Sequence, residues 1–561
     1  MRRPIRGLSA FVLALLLTLA SAALPASAGS TAYAPIYGTG STWSQNALDQ
    51  WIRDVEPLGM RVEYGGGGSS RGRLDFANNL VDFAISEIPY QGKDPLTQAD
   101  DNAHGRAYAY MPIVAGGTAF MYQIRIRGQL YRDLRLSGDT ITKIFTGKIT
   151  NWNDPQITRD NNGKKLPSKK VIPVVRSDGS GTTAQFTLWM NTQHKALWDG
   201  FCQSTQNRKC GQTSYFPTTN FSGVKAQGGS SQMAGYISAS YADGAIGYVE
   251  YSYALGKSYP VAKVKNTAGY YTEPNAYNTA VALTRAQIET NSKSPLYLTQ
   301  KLTGVYNHPD PRAYPLSSYS YMILPTANLS ANKGQTLADF AAYFLCQGQQ
   351  KAAPLGYSPL PLNLVQAGFH QIARVPGSKA GATDIKKCGN PTFDGKNLNR
   401  NVLAVVAPQP LPCDRDGAGP PVNGKCVAAG NNGNGNNNGN NNGNGNNGTG
   451  NNNGTGNNNG TGNGNPNGNG NGGQPTQPGQ QPGSGPTSAP VVDPETGQVI
   501  NAGGPNNGGY VPTGQVTDLN GSRGSGDMLR NLAVLVSAEA LLLLLVPTLV
   551  SRHLQRKRAG R

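Results

Sequence analysis

The densest chemistry in the 561-residue chain lies in Val174-Val175-Arg176-Ser177-Asp178-Gly179-Ser180-Gly181-Thr182-Thr183-Ala184-Gln185-Phe186. An apolar strand-like run ends at Arg176, a Gly-rich turn follows, and a helical pattern begins near Thr183. Such a turn aims unpaired backbone N–H groups and the positive end of a helix dipole at one spot. Ser180 and Thr182 add hydroxyl donors, and Arg176 supplies a fork that grips two oxygens of an anion. Asp178, two residues further on, can hold that guanidinium in place. The chemistry is anion binding. An ordinary strand-to-helix turn capped by Ser uses the same residue types. A nucleotide-type phosphate loop is excluded, because no Gly-Lys-Ser/Thr follows the glycines.

Two further segments share this logic. Val62-Glu63-Tyr64-Gly65-Gly66-Gly67-Gly68-Ser69-Ser70-Arg71-Gly72 places four glycines, which let the backbone approach a ligand closely, before serines that open a helix. Gly38-Thr39-Gly40-Ser41-Thr42-Trp43 again precedes a helical stretch. Each turn is a weak signal alone. Together they point to one anion surrounded by several helix N-termini.

The elements that must carry these turns alternate from about residue 32 to 405. Val81-Asp82-Phe83-Ala84-Ile85 and Val171-Ile172-Pro173-Val174-Val175 read as strands. Trp43 to Val55, Thr183 to Asn191 and Leu337 to Cys346 read as helices. Strands separated by helices imply an α/β architecture with largely parallel sheets. About 370 residues exceed the size at which a single core stops growing, so two lobes are expected.

At this point the chain resembles the PstS-type phosphate-binding proteins, the extracytoplasmic receptors of phosphate ABC transporters. The resemblance runs from about Tyr33 to Pro376. It rests on Gly40-Ser41-Thr42-Trp43, Gly68-Ser69-Ser70 and Val81-Asp82-Phe83-Ala84-Ile85-Ser86-Glu87. It continues through Phe145-Thr146-Gly147-Lys148-Ile149-Thr150-Asn151-Trp152, Arg176 to Thr182, and Gly244-Ala245-Ile246-Gly247-Tyr248-Val249-Glu250-Tyr251. The resemblance implies phosphate contacts at Thr42, Trp43 (through its backbone N–H), Ser69, Glu87, Arg176, Ser180, Gly181 and Thr182. It also implies a bilobal periplasmic-binding-protein-like fold of type II, crossed twice by the chain at a hinge, with the ligand closed between lobes. Lobe I is expected at about 29–115 and 300–405, and lobe II at about 116–299.

Glu87 departs from the family pattern, which has Asp there. Its role follows from charge. A carboxylate accepts a hydrogen bond from phosphate, which keeps a proton near neutral pH, and repels sulfate, which has none. Glu preserves that logic with one extra methylene.

Composition bounds the rest. The 49 Lys+Arg against 31 Asp+Glu give +18, while 72 Gly and 38 Pro shrink the foldable length. With 37% hydrophobic and 14% charged residues, a polytopic membrane protein and a coiled coil are both excluded. Eight of the positive charges (Arg2, Arg3, Arg6, Arg552, Arg556, Lys557, Arg558 and Arg561) flank two terminal apolar runs. Removing them takes +18 to +10, with no basic stripe left for nucleic acid.

Residues 1–28 read as a secretory signal: an Arg-rich start, the apolar run Leu8 to Ala23, and Ala26-Ser27-Ala28 as the cleavage pattern. An N-terminal membrane helix is the alternative, and the absence of a following Cys argues against a lipid anchor. Leu532 to Val550 is long enough to span a membrane, as a helix at 531–551 that carries Glu539 within it, with 552–561 as a basic cytoplasmic tail. The rest of the chain is then extracytoplasmic. Val511-Pro512-Thr513-Gly514 does not supply the sorting motif a wall anchor needs.

Residues 428–527 are mostly Asn and Gly, then Gln, Pro, Ser and Thr, with too few apolar residues to offset the entropy of ordering. They are expected to form a disordered tether spanning roughly 55–60 Å. Six cysteines in an oxidising compartment allow fifteen connectivities. Short loop closure favours Cys202–Cys210, Cys413–Cys426 (closing the segment 406–427) and, by elimination, Cys346–Cys388. His104, His194, His308, His370 and His553 lack metal-ligand spacing, so neither metal nor cofactor is expected.

The expected function is capture of inorganic phosphate and its delivery to a permease, without catalysis. Two rivals remain: a membrane-anchored sensor or adhesion protein on the same fold, and a serine hydrolase. The hydrolase reading uses Gly68-Ser69-Ser70-Arg71-Gly72 as a nucleophile turn, with Ser70 served by His308 or His370.

Overall fold

The computed structural model describes residues 33–379, 384–419, 426, 491–492 and 499–500. The signal segment, the membrane span with Glu539 and the basic tail lie outside the described residues, as does most of the tether. Among the described residues no helix is long and apolar enough to cross a membrane. The chain divides into two compact units, Met1–Pro478 and Gly479–Arg561. The second is described only as Val491–Val492 paired antiparallel with Val499–Ile500.

The largest sheet of the first unit has eight strands: β1 (Ile36–Gly40), β2 (Val62–Gly65), β3 (Phe83–Ser86), β4 (Tyr108–Tyr122), β5 (Ile172–Arg176), β6 (Lys225–Gln227), β7 (Ala245–Glu250) and β8 (Ser317–Pro325). Their order across the sheet is β6-β5-β7-β4-β8-β3-β1-β2. The helices that matter here are α1 (Gln45–Val55), α2 (Ser69–Ala77), α3 (Gly138–Phe145), α4 (Gly181–Gln193), α5 (Gly229–Ser238), α6 (Tyr251–Gly256), α7 (Ala331–Leu345) and α8 (Leu362–Ile372).

Both ends of the sheet are parallel: β1 with β2 and β3, and β5 with β6 and β7. The centre is antiparallel, because β4 and β8 run against their neighbours. The expectation of largely parallel sheets therefore holds for the flanks and fails at the centre. The reason is visible in β4. Its residues 108–117 pair with β8 and its residues 118–122 pair with β7, so one long strand serves both halves.

Burial follows the pattern of the elements. Every residue of β3 and β8 is buried, as expected of strands covered on both faces. On α1 the buried residues Ala47, Leu48, Trp51 and Val55 form a helical stripe. Trp51 stacks on Phe344 of α7 with ring centroids 4.8 Å apart. Burying a large apolar side chain of this kind stabilises by about 1.5–3 kcal/mol.

The elements differ at their edges from the sequence expectation. The last helix of that set starts at Ala331 and not near Leu337, because its first turns are polar. α4 begins at Gly181, two residues before Thr183.

The cysteines pair as Cys202–Cys210, Cys346–Cys388 and Cys413–Cys426. Beyond Pro376 the chain is tied back to the fold. The Asn390 amide and the Thr392 hydroxyl donate to the Leu360 carbonyl, and Asp414 accepts a buried 2.8 Å bond from Arg135.

Candidate functional site

The loops at the carboxyl ends of β1, β2, β3, β5 and β6 meet at one place. Open α/β sheets bind ligands in this crevice. Each loop brings polar side chains that would be unfavourable to bury without partners.

The centre of the cluster is Glu87, just past the end of β3 and fully buried. Ser69, at the start of α2, donates to its Oε2 at 2.8 Å, and Ser320 of β8 donates to its Oε1 at 2.9 Å. Its backbone carbonyl accepts from the Gln185 amide of α4 at 2.8 Å. Burial raises the carboxyl above its usual range. The hydroxyls of Ser41, Ser69 and Ser320 and the charge of Arg176 pull the other way.

Arg176 ends β5 and is 2% exposed. Asp178 holds the guanidinium from one side: Nε donates to Oδ1 at 2.7 Å and Nη2 donates to Oδ2. Nη1 reaches Ser230 Oγ only at 3.4 Å. The guanidinium is thus fixed in the plane of Asp178, with N–H groups at its far end available to a second planar or tetrahedral anion. Asp178 is itself tied to α5 by the Gly229 N–H at 2.9 Å.

At α4 the Ser180 hydroxyl caps the helix by accepting from the Thr183 N–H at 3.1 Å. The Thr182 hydroxyl is buried, with 1% exposure of the residue, and has no hydrogen-bond partner among the described residues. Opposite, Thr42 meets Ser230: the Ser230 N–H donates to Thr42 Oγ1 at 3.0 Å, and the two hydroxyls are 3.0 Å apart. The Trp43 N–H donates to Ser41 Oγ at 2.9 Å.

The halves touch across this cleft. The Ser70 N–H donates to the Gly179 carbonyl at 3.0 Å and the Gly181 N–H donates to Ser69 Oγ at 3.1 Å. Two glycines make the approach possible. Gly68 has φ +92°, and a Cβ there would lie 2.5 Å from Asp178 Oδ2. A Cβ on Gly181 would lie 2.0 Å from Glu87 Oε2 and 2.5 Å from Ser69 Oγ. Gly181→Ala is therefore expected to displace the carboxylate while leaving α4 intact. Overpacking of this kind costs about 1–3 kcal/mol, so anion affinity should fall by about 5- to 140-fold. Titration calorimetry on the folded variant checks this, and an unchanged affinity contradicts it.

Hydrogen bonds bring Thr42, Trp43, Ser69, Glu87, Arg176, Gly181 and Asp178 into this cluster, and Ser180 and Thr182 flank Gly181 at the start of α4. The Trp43 N–H is occupied by the Ser41 hydroxyl of its own loop, and the Gly181 N–H by the Ser69 hydroxyl from across the cleft. Sequence reasoning missed four members: Ser41, Ser44, Ser230 and Ser320. Ser230 carried a findable signal, since Gln227-Gly228-Gly229-Ser230 repeats the strand, Gly-rich turn and helix pattern of the other loops.

The nucleophile-turn reading finds no partner set. The Ser70 hydroxyl accepts only a long 3.4 Å contact from Arg73. The ring of His308 is engaged by Thr284 and by the Asp310 N–H, and His370 is exposed on α8. Among the described residues no group of three or more His, Cys, Asp or Glu could hold a metal ion.

The PBP superfamily domain model matches residues 25–347. A phosphate-binding protein PstS2 of Mycobacterium bovis is 30% identical over 334 residues, covering 58% of this chain and 83% of that protein. A phosphate-binding protein PstS of Methanocaldococcus jannaschii is 29% identical over 350 residues, covering 60% and 84%. A solved phosphate-binding protein of Stenotrophomonas maltophilia aligns at 18% identity with a TM-score of 0.45, over 64% of this chain and 98% of that one. The chain belongs to the PBP superfamily and, within it, to the PstS-type phosphate-binding proteins. Members of this family are substrate-binding proteins and not enzymes, and so is this chain.

Proposed function

We propose that this chain captures inorganic phosphate outside the membrane and delivers it to the permease of an ABC transporter. The observation that carries the reading is the buried meeting of one fixed arginine, one acid, three helix N-termini and an unpartnered Thr182 hydroxyl. A monoprotonated or diprotonated tetrahedral oxyanion fits that set. Arg176 takes two of its oxygens, and the N–H and hydroxyl groups of Ser180 to Thr182, Ser69, Thr42 and Trp43 take the rest. Glu87 accepts the anion's proton. Phosphate entering the cleft takes over the N–H groups now bonded to Ser41 and Ser69.

The single long strand β4, shared by both halves, is the natural hinge, with lobe I near residues 29–115 and 300–405 and lobe II near 116–299. Ligand contacts on both lobes favour the closed form, and the closed form is what the permease recognises. The signal at 1–28 exports the chain. The helix at 531–551 then anchors it, and the tether 428–527 lets the lobes search near the membrane.

Calorimetry on the full chain tests the reading. Phosphate and arsenate, both protonated near neutral pH, should bind at one anion per chain without turnover, and sulfate should not. Equal affinity for sulfate, or no affinity for phosphate, overturns it.

A further inference from the structure

The glutamate at position 87 raises a problem that an aspartate would not. Its extra rotatable bond lets the carboxylate swing away from an anion that offers no proton, and a carboxylate that can retreat does not discriminate. The structure carries a device against this.

Ser320 lies on β8 beside the end of β3. The pairing of Tyr321 with Ser86 places it opposite Glu87. Just there the register of β8 against β4 slips: Ser320 faces Val114, whereas Tyr321 faces Pro112. Ile113 is the extra residue of this bulge, and its carbonyl is satisfied by the buried Gln349 amide at 2.9 Å. Pro112 has no N–H to lose, which suits the interrupted ladder. Bulges beside functional sites re-aim side chains, and this one accompanies a Ser320 hydroxyl that donates to Glu87 Oε1 at 2.9 Å.

Behind Ser320 stands Ser44, with its Oγ 3.0 Å from Ser320 Oγ. A hydroxyl has one proton, and that of Ser320 goes to Glu87, so Ser44 donates to Ser320. Both serines are completely buried. Oε1 is thereby tied to the β8 side, while Oε2 stays beside Ser69 and Gly181.

We infer that Ser320, backed by Ser44, is a positioning residue that pins Oε1 of Glu87 so that Oε2 must face the bound anion, making the longer acid as strict about the anion's proton as a shorter one. The inference rests on the phosphate reading above and names the residue that enforces its selectivity. It matters most for the glutamate, whose extra methylene adds a torsion for Ser320 to fix that an aspartate does not have.

A double-mutant cycle on the full chain tests it, reading phosphate and sulfate affinities by calorimetry. Ser320→Ala should lower the phosphate-to-sulfate ratio about tenfold, mainly by raising sulfate affinity, and Ser320→Thr, which keeps the hydroxyl, should largely restore it. In the Glu87→Asp background, with one torsion fewer to fix, Ser320→Ala should lower the ratio much less. Ser44→Ala, which leaves the Glu87 contact in place, should give a smaller drop of the same sign, and so covers the case in which Ser320→Ala does not fold. An unchanged ratio in Ser320→Ala overturns the inference, as does an equal loss in both backgrounds, which is what a general packing defect produces. Wild-type protein that binds phosphate and rejects sulfate keeps the phosphate reading standing whichever way the Ser320 variants behave.

Discussion

Arg176→Ala is expected to lower phosphate affinity by a factor of a hundred to a few thousand. Two effects add. The anion loses the guanidinium that Asp178 holds at the cleft. Asp178, whose two oxygens now accept from Nε and Nη2, is left with an uncompensated charge facing the site. Removing one partner of a buried pair costs about 3–5 kcal/mol, and each 1.4 kcal/mol is a factor of ten. Arg176→Lys should recover only part of this loss, because an ammonium cannot bridge two oxygens in one plane. Calorimetric titration of phosphate into the folded variant is the measurement, and affinity within threefold of wild type contradicts the assignment.

The second large effect is on selectivity. Glu87→Gln should raise sulfate affinity roughly a hundredfold while phosphate affinity changes much less. In the wild type a fully deprotonated anion meets a buried carboxylate, and like charges placed together at a desolvated contact cost several kcal/mol. The amide removes that charge and offers an N–H in its place. Phosphate, which had used the carboxylate as an acceptor, still finds the amide oxygen. The ratio of the two affinities is the quantity to read, and sulfate rejection that survives in Glu87→Gln contradicts the role given to this acid.

Much of the site was legible because local sequence dictates it. A strand that ends in Gly, Ser and Thr before an apolar helical pattern makes an anion-facing turn whatever surrounds it, and Arg176 to Thr182 is such a turn. What stayed hidden is tertiary. Ser320 sits in Ser317-Ser318-Tyr319-Ser320-Tyr321, where serine and tyrosine alternate as in any strand, and only the bulge against β4 singles it out. Ser44 sits just before α1 in sequence and touches the site through Ser320 alone. The antiparallel centre of the sheet was hidden for a similar reason. The strand β4 reads as one long apolar run, and nothing local tells that its first ten residues pair with one half and its last five with the other.

The most direct test is a structure of the full chain with phosphate. One phosphate should lie between the halves, with two oxygens on the Arg176 guanidinium, one oxygen within hydrogen-bond reach of Glu87 Oε2, and the Thr182 and Ser69 hydroxyls on the others. A phosphate found away from Arg176, or one seated there with Glu87 turned from it, would contradict the account.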